Sequence, residues 1–67
     1  MSYSELVAQG TLLQGEILLS RDAAHRRALW RDYTRLLKWL KTCEQYDAIE
    51  CLNRQWNNRR VIKNQYA

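Results

Sequence analysis

The chain has 67 residues, of which 46% are apolar and 27% charged, with a formal net charge of +4. It is too short for a second hydrophobic core and too apolar for a disordered tail. No run of eighteen apolar residues is present, and the first nineteen residues carry two acids and no base, so we expect neither a membrane span nor a signal peptide. We therefore predict one small cytoplasmic domain over residues 1–67.

The pattern of residues is helical along the whole chain. Proline is absent and the only glycines are Gly10 and Gly15, so few of the residues that hairpin turns require are available. Apolar residues recur at spacings of three and four, without the alternation typical of strands. The sequence predicts an all-α fold of two to three amphipathic helices, arranged as a helical hairpin or small bundle and completed by dimerisation.

The first predicted helix begins at Ser2, which has the spacing from Glu5 that a capping box requires. Its apolar residues spread over most of the circumference. A chain of this size covers one broad face, so we expect a second copy or a partner groove to cover the rest. Gly10 and Gly15 each weaken the helix by about 1 kcal/mol relative to Ala. They indicate either close approach of another backbone or glycines tolerated in a frayed helix.

The second predicted helix follows Ser20-Arg21-Asp22, where Ser20 or Asp22 provides a cap. Its apolar stripe runs from Leu29 to Leu40 and is in phase with the first helix, so the sequence leaves open whether the two helices are continuous. It is the clearest amphipathic helix in the chain.

The third predicted helix begins after a bend. Leu52 and Trp56 lie about 150° around the helix from the preceding apolar stripe, so a straight helix could not bury both sets against one neighbour. We place the bend between Thr42 and Asp47 and expect the packed helix to end near Asn57-Asn58.

The apolar spacings of all three helices define one set of core or dimer residues. Members of this set recur on the faces that the helical period assigns to the interior. They are Leu6, Leu13, Ile17, Leu29, Tyr33, Leu36, Leu37, Leu40, Leu52 and Trp56.

The positive charge is concentrated on the second helix. Residues 21–42 carry seven bases against two acids, whereas residues 1–20 carry two acids and no base. Trp39 lies outside the apolar stripe near Arg35, which is typical either of an interface hot spot or of a boundary residue that packs on the third helix. The candidate partner-binding residues are Arg27, Arg31, Arg35, Lys38, Trp39 and Lys41.

The sequence contains no recognisable catalytic arrangement. His25 has no nucleophile at a local spacing, the acids do not repeat a metal-binding motif, and no glycine-rich phosphate loop is present. Cys43 and Cys51 are expected to be free thiols. We predict that the protein is not an enzyme and binds no metal or cofactor.

These features favour a small regulatory or adaptor protein, a homodimer, that binds another macromolecule through protein–protein contacts and modulates it by inhibition. The alternative is a dimeric nucleic-acid-binding regulator whose second helix contacts phosphates. In that alternative a frayed basic tail at about residues 58–67 adds Arg59, Arg60 and Lys63. A membrane-surface role is disfavoured, because the core needs the same apolar stripe.

Overall fold

The computed structural model describes the backbone of residues 3–66 and the side chains of residues 4–60. Within that range the chain forms three α-helices and no strand: α1 (Tyr3–Leu19), α2 (Ala23–Thr42) and α3 (Tyr46–Tyr66). Each helix packs against the other two. The predicted all-α bundle is confirmed, while the cap predicted at Ser2 lies outside the described residues.

The helices α1 and α2 are separated by a short extended segment. Asp22 has φ −93° and ψ 120°, and its Oδ1 accepts a hydrogen bond from the Ala24 backbone N–H at 3.1 Å. Ser20 Oγ donates to the Asp22 carbonyl oxygen at 3.2 Å. The two helices are therefore not continuous, and Asp22, one of the two predicted candidates, is the cap.

The bend predicted between the second and third helices lies at residues 43–45. The Glu44 N–H donates to the Lys41 carbonyl at 3.0 Å, and the Gln45 N–H donates to the Leu40 carbonyl at 2.8 Å. These two bonds form a Schellman motif, whose central residue is in the left-handed conformation. Glu44 occupies that position with φ 59°, although glycine is the usual residue there.

The helix α3 is longer than predicted. It does not end near Asn57-Asn58, because its backbone stays helical to Tyr66. The two asparagines are exposed, and asparagine only weakly disfavours helix. Packing also continues beyond them, since Arg59 Nη1 donates to the Thr11 carbonyl of α1 at 3.3 Å. The side chains of residues 61–67, most of the predicted tail, lie outside the described set.

The core consists of two groups of buried apolar residues that follow one another along the bundle. Leu40 and Leu52 are completely buried. One group is Leu6, Leu36, Leu40, Ala48 and Leu52, and the other is Ile17, Leu29 and Tyr33.

One buried polar side chain links all three helices. Gln14 is completely buried in α1. Its Nε2 donates to Tyr33 Oη of α2 and to the Leu52 carbonyl of α3, both at 2.8 Å. Its Oε1 has no hydrogen-bond partner among the described residues.

Close contact between α1 and α3 depends on Gly10. A Cβ atom at this position would lie 2.6 and 2.7 Å from the two Cδ atoms of Leu52. The glycine therefore allows the close approach of a side chain, which is neither the close approach of a backbone nor the tolerated glycine that the sequence left open. At Gly15 a Cβ atom would lie 3.4 Å from Arg59 Nη1, which is ordinary contact with the end of a flexible side chain.

We expect Gly10→Ala to lower the free energy of unfolding by up to about 2 kcal/mol. Overpacking against Leu52 costs about 1–3 kcal/mol and exceeds the helix-propensity gain of about 1 kcal/mol. Gly15→Ala is the matched control and should be neutral or stabilising by up to about 1 kcal/mol. Urea denaturation followed by far-UV circular dichroism measures both. Equal stabilisation by the two substitutions would contradict the close contact.

We expect Glu44→Gly to stabilise the fold by about 1 kcal/mol, because glycine lacks the Cβ that opposes the left-handed conformation. For a domain of this size the melting temperature should rise by about 4–8 °C. Gln45→Gly, at the next exposed position, should lower stability, since Gln45 does not have a positive φ. Thermal denaturation of both variants tests the turn; a lower melting temperature for Glu44→Gly would refute it.

Candidate functional site

The outer side of α2 carries four cations that we call the basic face: Arg27, Arg31, Arg35 and Lys38. All four are exposed, and none of them forms an ion pair with a described residue. They follow one another at spacings of four, four and three residues, which extends the basic face over about 16 Å of helix. Together with Trp30 and Thr34 they surround a shallow hollow.

The basic face exists because α2 buries its opposite side. Leu29, Tyr33, Leu36 and Leu40 are the buried residues of α2. With 3.6 residues per turn, the cations fall on the side away from this stripe.

A groove of about 430 Å³ lies beside the basic face, between α1 and α2. Its floor is apolar, with Leu6 and Leu36 buried and Leu13 half-buried, while Trp39 is 49% exposed. We call it the α1–α2 groove. It is lined by Leu6, Gln9 and Leu13 of α1 and by Asp32, Arg35, Leu36 and Trp39 of α2.

The two tryptophans of α2 have different surroundings. The Trp30 ring makes edge contacts with Tyr33 and with Trp56 of α3, at centroid distances of 5.9 and 5.1 Å. Trp39 lines the groove with residues of α1. The ring contact with α3 is thus made by Trp30, and Trp39 lies at the groove between α1 and α2.

Arg35 joins the groove and the basic face into one surface, because it lines both hollows. Asp32 is the only acid among the described residues that line the groove. The combined surface offers an apolar floor, a half-exposed indole and a row of cations along one edge.

The remaining predicted contact residues are dispersed. Lys41 is exposed but lines neither the groove nor the hollow of the basic face. Arg59 is half-buried and bound to α1 through the Thr11 carbonyl, whereas Arg60 is exposed on α3. The Lys63 side chain lies outside the described residues.

All ten predicted core or dimer residues lie inside the bundle of one chain. Seven are buried, and Leu13, Leu37 and Trp56 are partly buried against them. The large apolar residues that α1 leaves in solvent are Leu12 and Leu19, which are 68% and 82% exposed. Neither belongs to the predicted set.

Sequence reasoning missed the groove and the buried amide of Gln14. Leu6 and Leu13 have core spacing, so their position at a groove depends on how far α1 and α2 separate. Gln14 lies three residues before Ile17, which places it toward the interior side of α1. That spacing was the available signal for the burial of Gln14. The groups that bind its amide belong to other helices and could not be identified from α1 alone.

The structure also shows where the residues considered for catalysis or metal binding lie. His25 Nδ1 lies 3.4 Å from Ser20 Oγ on the exposed surface, and both cysteines are free. Among the described residues, no three His, Cys, Asp or Glu side chains come together as metal ligands. Over the part of the chain that the structure describes, no helix has the length and apolarity needed to cross a membrane.

Comparisons of the chain with protein-family models, with curated proteins and with solved structures find no match.

Proposed function

We propose that this protein is a small helical regulatory or adaptor protein that binds another protein and modulates it, by inhibition. The binding surface is the α1–α2 groove together with the basic face. The observation that carries the proposal is the half-exposed Trp39 in an apolar groove, beside an arginine that belongs to an unpaired row of cations.

Tryptophan and arginine are the residues most enriched at protein–protein hot spots, where an indole fills a desolvated pocket and charges surround it. Trp39 and Arg35 line one groove and have this composition. A regulator of this kind acts by occupancy and not by turnover, so the absence of catalysis stays a prediction, as does a cytoplasmic location.

A nucleic-acid-binding regulator is the second candidate. The four unpaired cations of the basic face support it, since a row of Arg and Lys along one helix is suited to phosphate contacts. The groove weakens it, because a phosphate backbone gains nothing from an apolar floor. Protein binding would use both the groove and the basic face, whereas nucleic-acid binding would use the basic face alone, and we therefore favour protein binding.

Dimerisation belongs to the same proposal. Leu12 and Leu19 are seven residues apart on α1 and both project into solvent, so they lie on one side of the helix. Ala8 is also exposed on that side. A second copy would remove these apolar side chains from water through a self-complementary contact.

We expect Arg31→Glu/Arg35→Glu to abolish partner binding and leave helix content unchanged, since both residues are exposed. The control is Arg21→Glu/Arg26→Glu, which makes the same charge change at exposed residues outside the site. Immobilised protein is incubated with nuclease-treated extract, and a retained protein is identified, purified and tested for a stoichiometric complex by light scattering.

The alternative gives a different result when the same experiment is repeated with extract that has not been treated with nuclease. Retained nucleic acid, with affinity falling by a log–log slope of about −0.9 per neutralised phosphate on duplex DNA, would replace the protein-binding proposal. Equal loss of binding in the two double variants would show that net charge, and not this surface, is responsible.

We expect light scattering coupled to size exclusion to give a mass of about 16 kDa, twice the 8.1 kDa of one chain. Leu12→Glu/Leu19→Glu should give the monomer mass, because two charges would enter the apolar contact. Asn53→Glu, at an exposed position of α3, should remain dimeric. A wild-type mass of about 8 kDa, or a dimer that survives the double substitution, would refute this interface.

A further inference from the structure

We infer that the partner segment recognised by the α1–α2 groove is an amphipathic helix that carries acidic side chains beside its apolar face. This inference rests on the proposed function and specifies the chemistry of the partner. Three features support it: the apolar floor of the groove, the positive charge along its rim, and the carboxylate of Asp32 within the groove.

The floor of the groove is about as long as two turns of a docked helix. Leu6 and Leu13 line its α1 side seven residues apart, a separation of about 10.5 Å along the helix. Leu36 and Trp39 line the opposite side. Apolar residues at positions i, i+3, i+4 and i+7 of a docked helix cover the same two turns.

The charge along the rim selects an acidic segment. Arg35 stands at the junction of the groove and the basic face, with Arg31 and Lys38 one turn away on either side. These cations repeat every three or four residues, the spacing at which a neighbouring helix presents side chains from one face. Glutamates on the partner would pair with guanidinium groups that have no ion pair among the described residues.

The acid within the groove argues against a uniformly anionic ligand. Asp32 lines the groove near Arg35 and Trp39, so a phosphate backbone laid along the floor would meet a like charge. An amphipathic segment avoids this cost, because its apolar residues face the floor and its acids lie to one side. The groove and the basic face together therefore favour a peptide over a nucleic acid.

The experiment uses the three tryptophan indole N–H signals in proton–nitrogen correlation spectra of the whole protein. Trp39 reports the groove, Trp30 the hollow of the basic face, and Trp56 the contact between α2 and α3. The probe is a synthetic helical peptide of about 18 residues. It has leucines at i, i+3, i+4 and i+7 and glutamates on the adjoining positions. There are two comparison peptides. In one the glutamates are replaced by glutamine, and the other has the same composition in scrambled order.

We expect the acidic peptide to shift the Trp39 indole signal and to leave that of Trp56 in place. Trp39→Ala and Arg35→Glu should each weaken binding about tenfold or more, as loss of a hot-spot residue does. Arg21→Glu should change affinity less than about twofold, because Arg21 is exposed and outside both hollows. The glutamine and scrambled peptides should bind at least about tenfold more weakly.

Several results would overturn the inference. These are no binding of the acidic peptide, equal binding of the glutamine peptide, or a shift of Trp30 without Trp39. Movement of the Trp39 signal on dilution of the free protein would assign the groove to a second copy. Circular dichroism of Trp39→Ala separates lost binding from lost fold, and Arg35→Glu tests the same groove with its floor intact.

The inference and the proposed function fail in different ways. If a purified partner binds and Arg31→Glu/Arg35→Glu abolishes that binding but Trp39→Ala does not, the role of a protein-binding regulator holds, its surface is the basic face alone, and the groove has no helical occupant. If no protein partner forms a stoichiometric complex, the proposed function itself is wrong.

Discussion

The arrangement of the three helices depends on the buried amide of Gln14. Its Nε2 binds the Tyr33 hydroxyl of α2 and the Leu52 carbonyl of α3 at the same distance of 2.8 Å. Buried polar groups that lose their partner cost about 1–3 kcal/mol each, so rotation of α1 away from either neighbour is unfavourable. Together with the buried Leu6 and Ile17, the amide therefore favours one rotation of α1 about its own axis relative to α2 and α3. That rotation places the Leu6–Leu13 side of α1 along α2, where the groove forms.

Gly10 determines how closely α1 approaches α3. The Leu52 side chain occupies the space that a Cβ would need, and on the next turns of α3 Gln55 accepts a hydrogen bond from Thr11 Oγ1 at 2.8 Å. Arg59 continues the same line of contacts to the Thr11 carbonyl. These contacts hold α1 against α3 on one side. The opposite side of the α1–α2 pair is left without a third helix among the described residues, and its apolar floor is accessible to a partner.

The proposed binding surface depends on where α2 places its large side chains. Tyr33 and Trp30 are used in contacts within the bundle, whereas Trp39 remains half-exposed in the groove. The cations lie on the side that no helix covers, and Arg35 connects them to the groove. One helix thus contributes to the core, to an apolar anchor site and to a charged edge. The protein recognition that we propose would use these last two together, since apolar burial supplies affinity and charge selects the partner.

The sequence by itself determined the helical class, the bend after α2 and the basic side of α2, because each depends on spacing within one segment and on the 3.6-residue period. It also identified ten residues that lie in the bundle, from Leu6 to Trp56. Only the tertiary structure decided which groups the Gln14 amide binds, that Arg59 binds α1 and that Leu12 and Leu19 remain in solvent. It also decided that a groove opens beside Trp39. These features depend on the rotation and separation of helices whose contacting residues lie 19 to 48 positions apart, and the periodicity of a single helix does not contain that information.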